Sequence, residues 1–217
     1  MWRIETELED AGARYDGRAA IYDRLIRSRL YNRVAWSCTP GHYTGFAAEA
    51  LASSTGPVLE AAAGSAAATA GLHRASGRPT VLVDLSRPML ERAARRLAGD
   101  GAAMPARIRL VQADLTALPF SEPRFTTVLA LGAVHLFDDV DALIAPLRAQ
   151  LAPEGRLYVS SLVAATARGG RYLEVLQRAG EVARPRTASE VHDALGRPRD
   201  FRVAGSMAFA VLPAAAS

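Results

Sequence analysis

The sequence predicts a three-layer α/β/α domain on a doubly wound, mostly parallel, seven-stranded sheet, with an antiparallel C-terminal hairpin and a helical N-terminal arm. Three observations carry this. From residue 58 onward, short apolar runs alternate with amphipathic segments, as βα units do. The first run, Val58-Leu59-Glu60, passes through small residues into helix-forming sequence. After Ser161 the alternation stops, and two strand-like runs flank Gly205-Ser206.

Residues 1–52 read as helical. Tyr15, Tyr22, Leu25 and Ile26 recur at roughly helical spacing, interrupted by Gly17; Tyr31, Val34 and Trp36 follow. Cys38-Thr39-Pro40-Gly41 is a turn signal, and Phe46, Ala50 and Leu51 fit a further amphipathic helix ending near Ser53–Pro57. Most of these aromatics are expected in a core layer, the rest in a lid.

Strands are expected at Val58–Glu60, Thr80–Asp84, Ile108–Gln112, Thr127–Leu131 and Leu157–Ser161, apolar on both faces as a covered parallel sheet requires. Between them the clearest helix opens on Ser86 as N-cap and carries Met89, Leu90, Ala93, Ala94 and Leu97 on one stripe, with Glu91 able to pair with Arg95. Another is expected from about Val140 to Leu151, stopped by Ala152-Pro153-Glu154-Gly155. Two helices, Tyr172–Ala179 and Ala188–Leu195, precede the hairpin strands Phe201–Ala204 and Met207–Val211.

The 217 residues, half of them hydrophobic, suit one domain: an arm over 1–52 and a core over 53–217. The charged start, Met1 to Glu7, is unlike a signal peptide, and no run approaches the ~18 apolar residues of a membrane span. With Cys38 the single cysteine, a cytoplasmic protein without a zinc cluster is expected, and no metal. The formal charge is +4 and there is no lysine, which excludes a P-loop lysine and a Schiff-base lysine. The arginines are interleaved with acids, so neither a nucleic-acid partner nor a membrane partner is expected.

Three acids fall at the ends of three consecutive strands: Glu60, Asp84 and Asp114. Ligands of open parallel sheets lie outside the carboxyl ends of the strands, so these acids should converge on one crevice. Asp84 is placed to accept from both ribose hydroxyls, and Asp114 from an exocyclic amine of adenine. Glu60 faces the small-residue turn and could hold a cationic amine. Behind that turn a helix N-terminus would favour an anionic group.

These motifs resemble those of the class I S-adenosylmethionine-dependent methyltransferases, small-molecule branch, over nearly the whole chain. Glu60-Ala61-Ala62-Ala63-Gly64-Ser65-Ala66 resembles the family's glycine-rich motif, with Ala62 and Ala66 where glycines are usual. Val83-Asp84-Leu85-Ser86-Arg87-Pro88-Met89-Leu90 and Gln112-Ala113-Asp114-Leu115 match the next two motifs, while Thr126 stands where an acid is usual. Gly132-Ala133-Val134-His135-Leu136-Phe137-Asp138 resembles the motif after the fourth strand.

The resemblance implies a Rossmann-like core and S-adenosyl-L-methionine as cofactor. It implies a site made of Glu60, Ala62, Gly64, Asp84, Leu85, Met89, Asp114, Leu115 and Leu131, with Tyr15 and Tyr22 folding over it. His135 would face the acceptor and is the candidate base, or else a wall of the acceptor pocket beside Tyr31 and Trp36. The expected activity is methylation of a small aromatic or apolar molecule on oxygen, nitrogen or carbon. A non-catalytic or repurposed protein of the same fold is the alternative, motivated by the altered glycines and Thr126. A nicotinamide dehydrogenase is excluded, since Gly64 is followed by Ser65-Ala66-Ala67 without the third glycine of that fingerprint. The acceptor's identity and the oligomeric state, a homodimer included, stay open.

Overall fold

The computed structural model describes residues 4–6, 40–99 and 103–214. The elements are β1 (Ile4–Thr6), α1 (Pro40–Ala52), β2 (Val58–Ala61), α2 (Ala70–Ser76), β3 (Thr80–Asp84), α3 (Arg87–Ala98), β4 (Ile108–Gln112), β5 (Phe125–Ala130), a 3-10 turn (Val134–Leu136), α4 (Asp141–Arg148), β6 (Leu151–Leu162), α5 (Ala167–Arg178), α6 (Ala188–Ala194), β7 (Asp200–Ala204) and β8 (Met207–Pro213). The strands form one eight-stranded sheet in the order β1-β4-β3-β2-β5-β6-β8-β7. Pairing is parallel from β1 across to β6, and the β7/β8 hairpin adds two antiparallel strands. Strand order reverses between β2 and β5, so the crevice at the carboxyl ends of the strands opens there.

Period-two alternation sends side chains to both faces. Leu59, Ala61, Val83, Val111, Val128 and Ala130 pack on one side with Leu143, Ile144 and Leu147 of α4. Leu82, Ile108 and Leu110 pack on the other with Leu90, Ala93, Ala94 and Leu97 of α3. Next to them Phe46 of α1 meets Tyr158 and Phe209, ring centroids 5.5 and 5.1 Å apart. Phe46 thus sits in a core layer.

Several expectations are corrected. The sheet has an eighth strand, because Ile4–Thr6 lies along β4 instead of joining a helix. Three residues are too few to show strand periodicity, and the pairing is supported by the Glu5–Arg109 ion pair. Glu91 pairs with Arg87, not Arg95. Helix α4 stops at Arg148 because Leu151 already pairs with Phe125; the expected stop at Pro153–Gly155 is a bulge, where register jumps to Thr127↔Arg156. Helix α5 starts earlier than expected, capped by Thr166, whose hydroxyl accepts from Gly169 N–H. The arm residues Tyr15, Tyr22, Tyr31 and Trp36 lie outside the described residues.

Arg78, between α2 and β3, is 5% exposed. Its Nε donates to Gly56 O, Nη1 to Leu51 O, and Nη2 to the hydroxyls of Ser54, Thr126 and Thr127, over 2.7–3.0 Å. No carboxylate pairs with it among the described residues. Burial lowers its pKa from the usual guanidinium value. Thr126 thus serves as an uncharged acceptor for this cation. Arg78→Met would strand the carbonyls of Leu51 and Gly56, at roughly 1–3 kcal/mol for each group left unsatisfied, while the Ser54, Thr126 and Thr127 hydroxyls keep their bonds to one another. A thermal melt should show Tm lower by about 6 °C or more; a Tm within 2 °C of wild type would contradict this account.

Candidate active site

The crevice is built at the ends of β2, β3 and β4, held in register by Ala61↔Val83 and Asp84↔Gln112. Past β2 the chain makes a loop in which Ala62, Gly64 and Ala66 all have left-handed φ, at 51°, 52° and 51°. Glycine adopts this conformation freely; alanine does so at a cost of about 1–2 kcal/mol. The two alanines therefore keep the loop shape that glycines would give, under strain. A Cβ added at Gly64 would meet nothing within 4 Å.

Asp84, half-buried at the end of β3, fastens the loop from the neighbouring strand. Its Oδ2 accepts from Gly64 N–H at 2.7 Å and its Oδ1 from Ser86 N–H at 2.8 Å. The same carboxylate thus sets the loop and the start of α3. Leu85 is half-buried, Met89 and Leu115 are buried, and Gln112 Nε2 donates to Leu85 O, tying the β4 end to the β3 end. Asp114, half-buried, accepts through Oδ1 from the Thr116 N–H and hydroxyl, both at 2.8 Å. These residues lie at the ends of neighbouring strands.

Glu60 behaves differently. It is 4% exposed, its Oε1 accepts from the Thr69 hydroxyl at 2.9 Å, and its Oε2 is bonded to His73 Nε2. The expectation that Glu60 holds a cationic amine at the turn is corrected: both oxygens are engaged by α2 and the turn before it. That turn is longer than expected, with α2 starting only at Ala70 and running seven residues. Thr69, its N-cap, makes no capping bond. His73 is fully buried. The overlooked signal is the Thr69/His73 spacing of i, i+4, which stacks both on one side of a helical turn.

Beyond β5, half-buried Leu131 leads to Gly132, whose N–H donates to Ser160 Oγ at 2.8 Å. A Cβ on Gly132 would stand 2.6 Å from the Tyr43 hydroxyl, so α1 places that hydroxyl directly over the loop after β5. Tyr43 was hidden from sequence reasoning because no motif surrounds it. His135 follows in the 3-10 turn, 6% exposed. Its Nδ1 accepts from Leu162 N–H at 3.2 Å, and burial lowers its pKa from 6.5 to about 4. The ring is therefore neutral near pH 7, with its proton on Nε2. Its one lone pair is occupied by backbone, which corrects the expectation of a general base there. The turn is clamped by Arg186, whose Nη1 and Nη2 donate to the carbonyls of Phe137 and Asp138 at 3.0 and 2.5 Å.

No group of three or more His, Cys, Asp or Glu able to hold a metal ion occurs among the described residues. No helix among them is long and apolar enough to cross a membrane.

Residues 58–155 match the family model described as methyltransferase domain. The chain is 38% identical over 103 residues to demethylmenaquinone methyltransferase of Clavibacter sepedonicus, covering 47% of this chain and 39% of that protein. It is 31% identical over 193 residues to malonyl-[acyl-carrier protein] O-methyltransferase of Halorhodospira halophila (strain DSM 244 / SL1), covering 88% of this chain and 57% of that one. The chain thus spans about half the length of these curated relatives. A crystal structure of geranyl diphosphate C-methyltransferase from Streptomyces coelicolor A3(2), in complex with Mg2+, geranyl-S-thiolodiphosphate and S-adenosyl-L-homocysteine, has the same fold. Its TM-score is 0.65 at 14% identity, over 80% of this chain and 75% of that one. Strand order, loop and matched segment thus agree in marking residues 58–155 as a methyltransferase domain.

Proposed function

We propose that this chain binds S-adenosyl-L-methionine in the crevice over β2, β3 and β4 and methylates a small aromatic or apolar molecule. The observation that supports this most is the pairing of the left-handed loop with the Asp84 carboxylate, beside a Gly64 face where an added Cβ would meet no atom. The donor set suits an adenosine. Asp84 would accept from the ribose hydroxyls, Leu85, Met89 and Leu115 would flank the adenine, and Asp114 would accept from its amine. Ala62, Gly64 and Leu131 would border the rest of the cofactor. When bound, the cofactor supplies a methyl group on a sulfonium, transferred to oxygen, nitrogen or carbon.

The chain's own contribution is positioning, which can supply up to ~7–11 kcal/mol of a barrier by orienting the reacting groups. His135 would contribute an Nε2–H donor to a polar atom of the acceptor and take no proton from it. Tyr31 and Trp36 are proposed to line the acceptor side, and Tyr15 and Tyr22 to cover the cofactor. The printed names of the two relatives, one acting on demethylmenaquinone and one on malonyl-[acyl-carrier protein], support a small or carried organic acceptor. A repurposed, non-catalytic protein is less favoured, because Ala62 and Ala66 hold the φ values that glycines would provide.

Calorimetric titration with S-adenosyl-L-methionine is expected to give saturable binding; no heat at high micromolar cofactor would refute the reading. Asp84→Ala is expected to weaken binding at least about tenfold, since charge-assisted bonds contribute roughly 1.5–3 kcal/mol each. Unchanged affinity would remove the ribose assignment.

The neutral His135 also makes a pH prediction. Its folded pKa lies below the unfolded value, so the unfolded chain binds the proton more tightly between pH 6.5 and about 4. Stability from this residue is intact above pH 6.5 and falls as pH drops to about 4, by about 3 kcal/mol in total. Urea unfolding across that window should show a shallower pH dependence for His135→Asn than for wild type. Equal slopes would contradict the buried, neutral imidazole.

A further inference from the structure

Glu60, Thr69 and His73 form a polar cluster inside an otherwise apolar region, directly behind the loop. Around it, Ala63, Ala66 and Ala70 are buried against α3. Each member gives something up to be there. Thr69 spends its hydroxyl on Glu60 Oε1 and leaves α2 without a side-chain cap. His73 is buried completely, and its Nδ1 has no hydrogen-bond partner. A buried ring nitrogen left unsatisfied is costly, so the Nε2 contact with Glu60 is what the ring is buried for.

The position of the cluster shows what it holds. Glu60 is two residues before Ala62, the first left-handed alanine, and Thr69 is three residues after Ala66, the last. The cluster therefore closes the two ends of the strained segment on each other, while Asp84 holds its middle through Gly64 N–H. Non-glycine residues persist in this φ region only where surrounding contacts over-determine them. Further backbone bonds, Ala63 N–H to Val83 O at 3.0 Å and Ala66 N–H to Ala63 O at 2.9 Å, complete the hold.

We infer that His73 is a positioning residue: acting through Glu60, it keeps the alanine-bearing loop in its cofactor-binding shape, a task that glycines at 62 and 66 would perform by conformational freedom. It touches neither cofactor nor acceptor. The inference rests on the reading that this loop receives the methyl donor.

The test uses the full chain, S-adenosyl-L-homocysteine as calorimetric probe, and hydrogen exchange at the Ala63, Gly64 and Ala66 amides. His73→Leu should weaken binding about tenfold or more and speed exchange at those amides, with far-UV circular dichroism unchanged. His73→Gln, which can still present an N–H to Glu60, should stay within about threefold of wild type. The decisive arm adds Ala62→Gly and Ala66→Gly. In that glycine background His73→Leu should cost less than about threefold and leave exchange unaltered.

A merely structural histidine would give the same loss in both backgrounds, and that result overturns the inference. So does wild-type affinity and exchange in His73→Leu. Should His73→Leu fail to fold, Thr69→Val removes the other anchor of Glu60 and is read by the same comparison. If wild type itself binds no probe, the proposed function fails, while exchange in the two backgrounds still decides the role of His73.

Discussion

The structure turns on the Asp84 carboxylate and the two backbone N–H groups it receives. Gly64 belongs to the loop after β2 and Ser86 caps α3, so one side chain joins two successive βα units. With the Ala63 N–H bond to Val83 O, it gives the loop and the helix start a common reference. Its position follows from the parallel register Asp84↔Gln112, which also brings Asp114 to the next strand end. The site is thus a consequence of sheet pairing: neighbouring strands finish together, and polar groups just beyond them share one crevice.

The loop held by Asp84 is unusual in its chemistry rather than its shape. Alanine at 62 and 66 occupies left-handed space that glycine would enter freely. The strain is offset by a closed set of contacts: Asp84 in the middle, the Glu60–Thr69–His73 cluster behind, and alanines packed on α3 below. The acid that opens the motif has therefore been turned inward. Away from this loop the same trade recurs at Arg78, whose buried cation is satisfied by carbonyls and hydroxyls in place of a carboxylate.

Much of this was legible in the sequence. Strands β2, β3 and β4 were marked by short apolar runs with acids at their ends, and α3 by Ser86 and its apolar stripe. The parallel core and terminal hairpin followed from where the alternation stops. Four features were not legible, for identifiable reasons. A three-residue edge strand such as β1 is shorter than its own periodicity. The bulge in β6 hides behind a Pro-Glu-Gly turn signal. The inward turn of Glu60 depends on His73, thirteen residues away, whose burial no local pattern announces. The tautomer of His135 is set by Leu162 N–H, a backbone group that only tertiary packing brings near.

Backbone amide chemical shifts, followed by NMR during titration with S-adenosyl-L-homocysteine, test the central claim most directly. Binding in the crevice should move the amides of residues 62–66, 84–89 and 113–116 together, because the Asp84 bridge couples the first two groups and register the third. Saturable shifts confined to other parts of the sheet, such as the β7/β8 hairpin, would contradict the account.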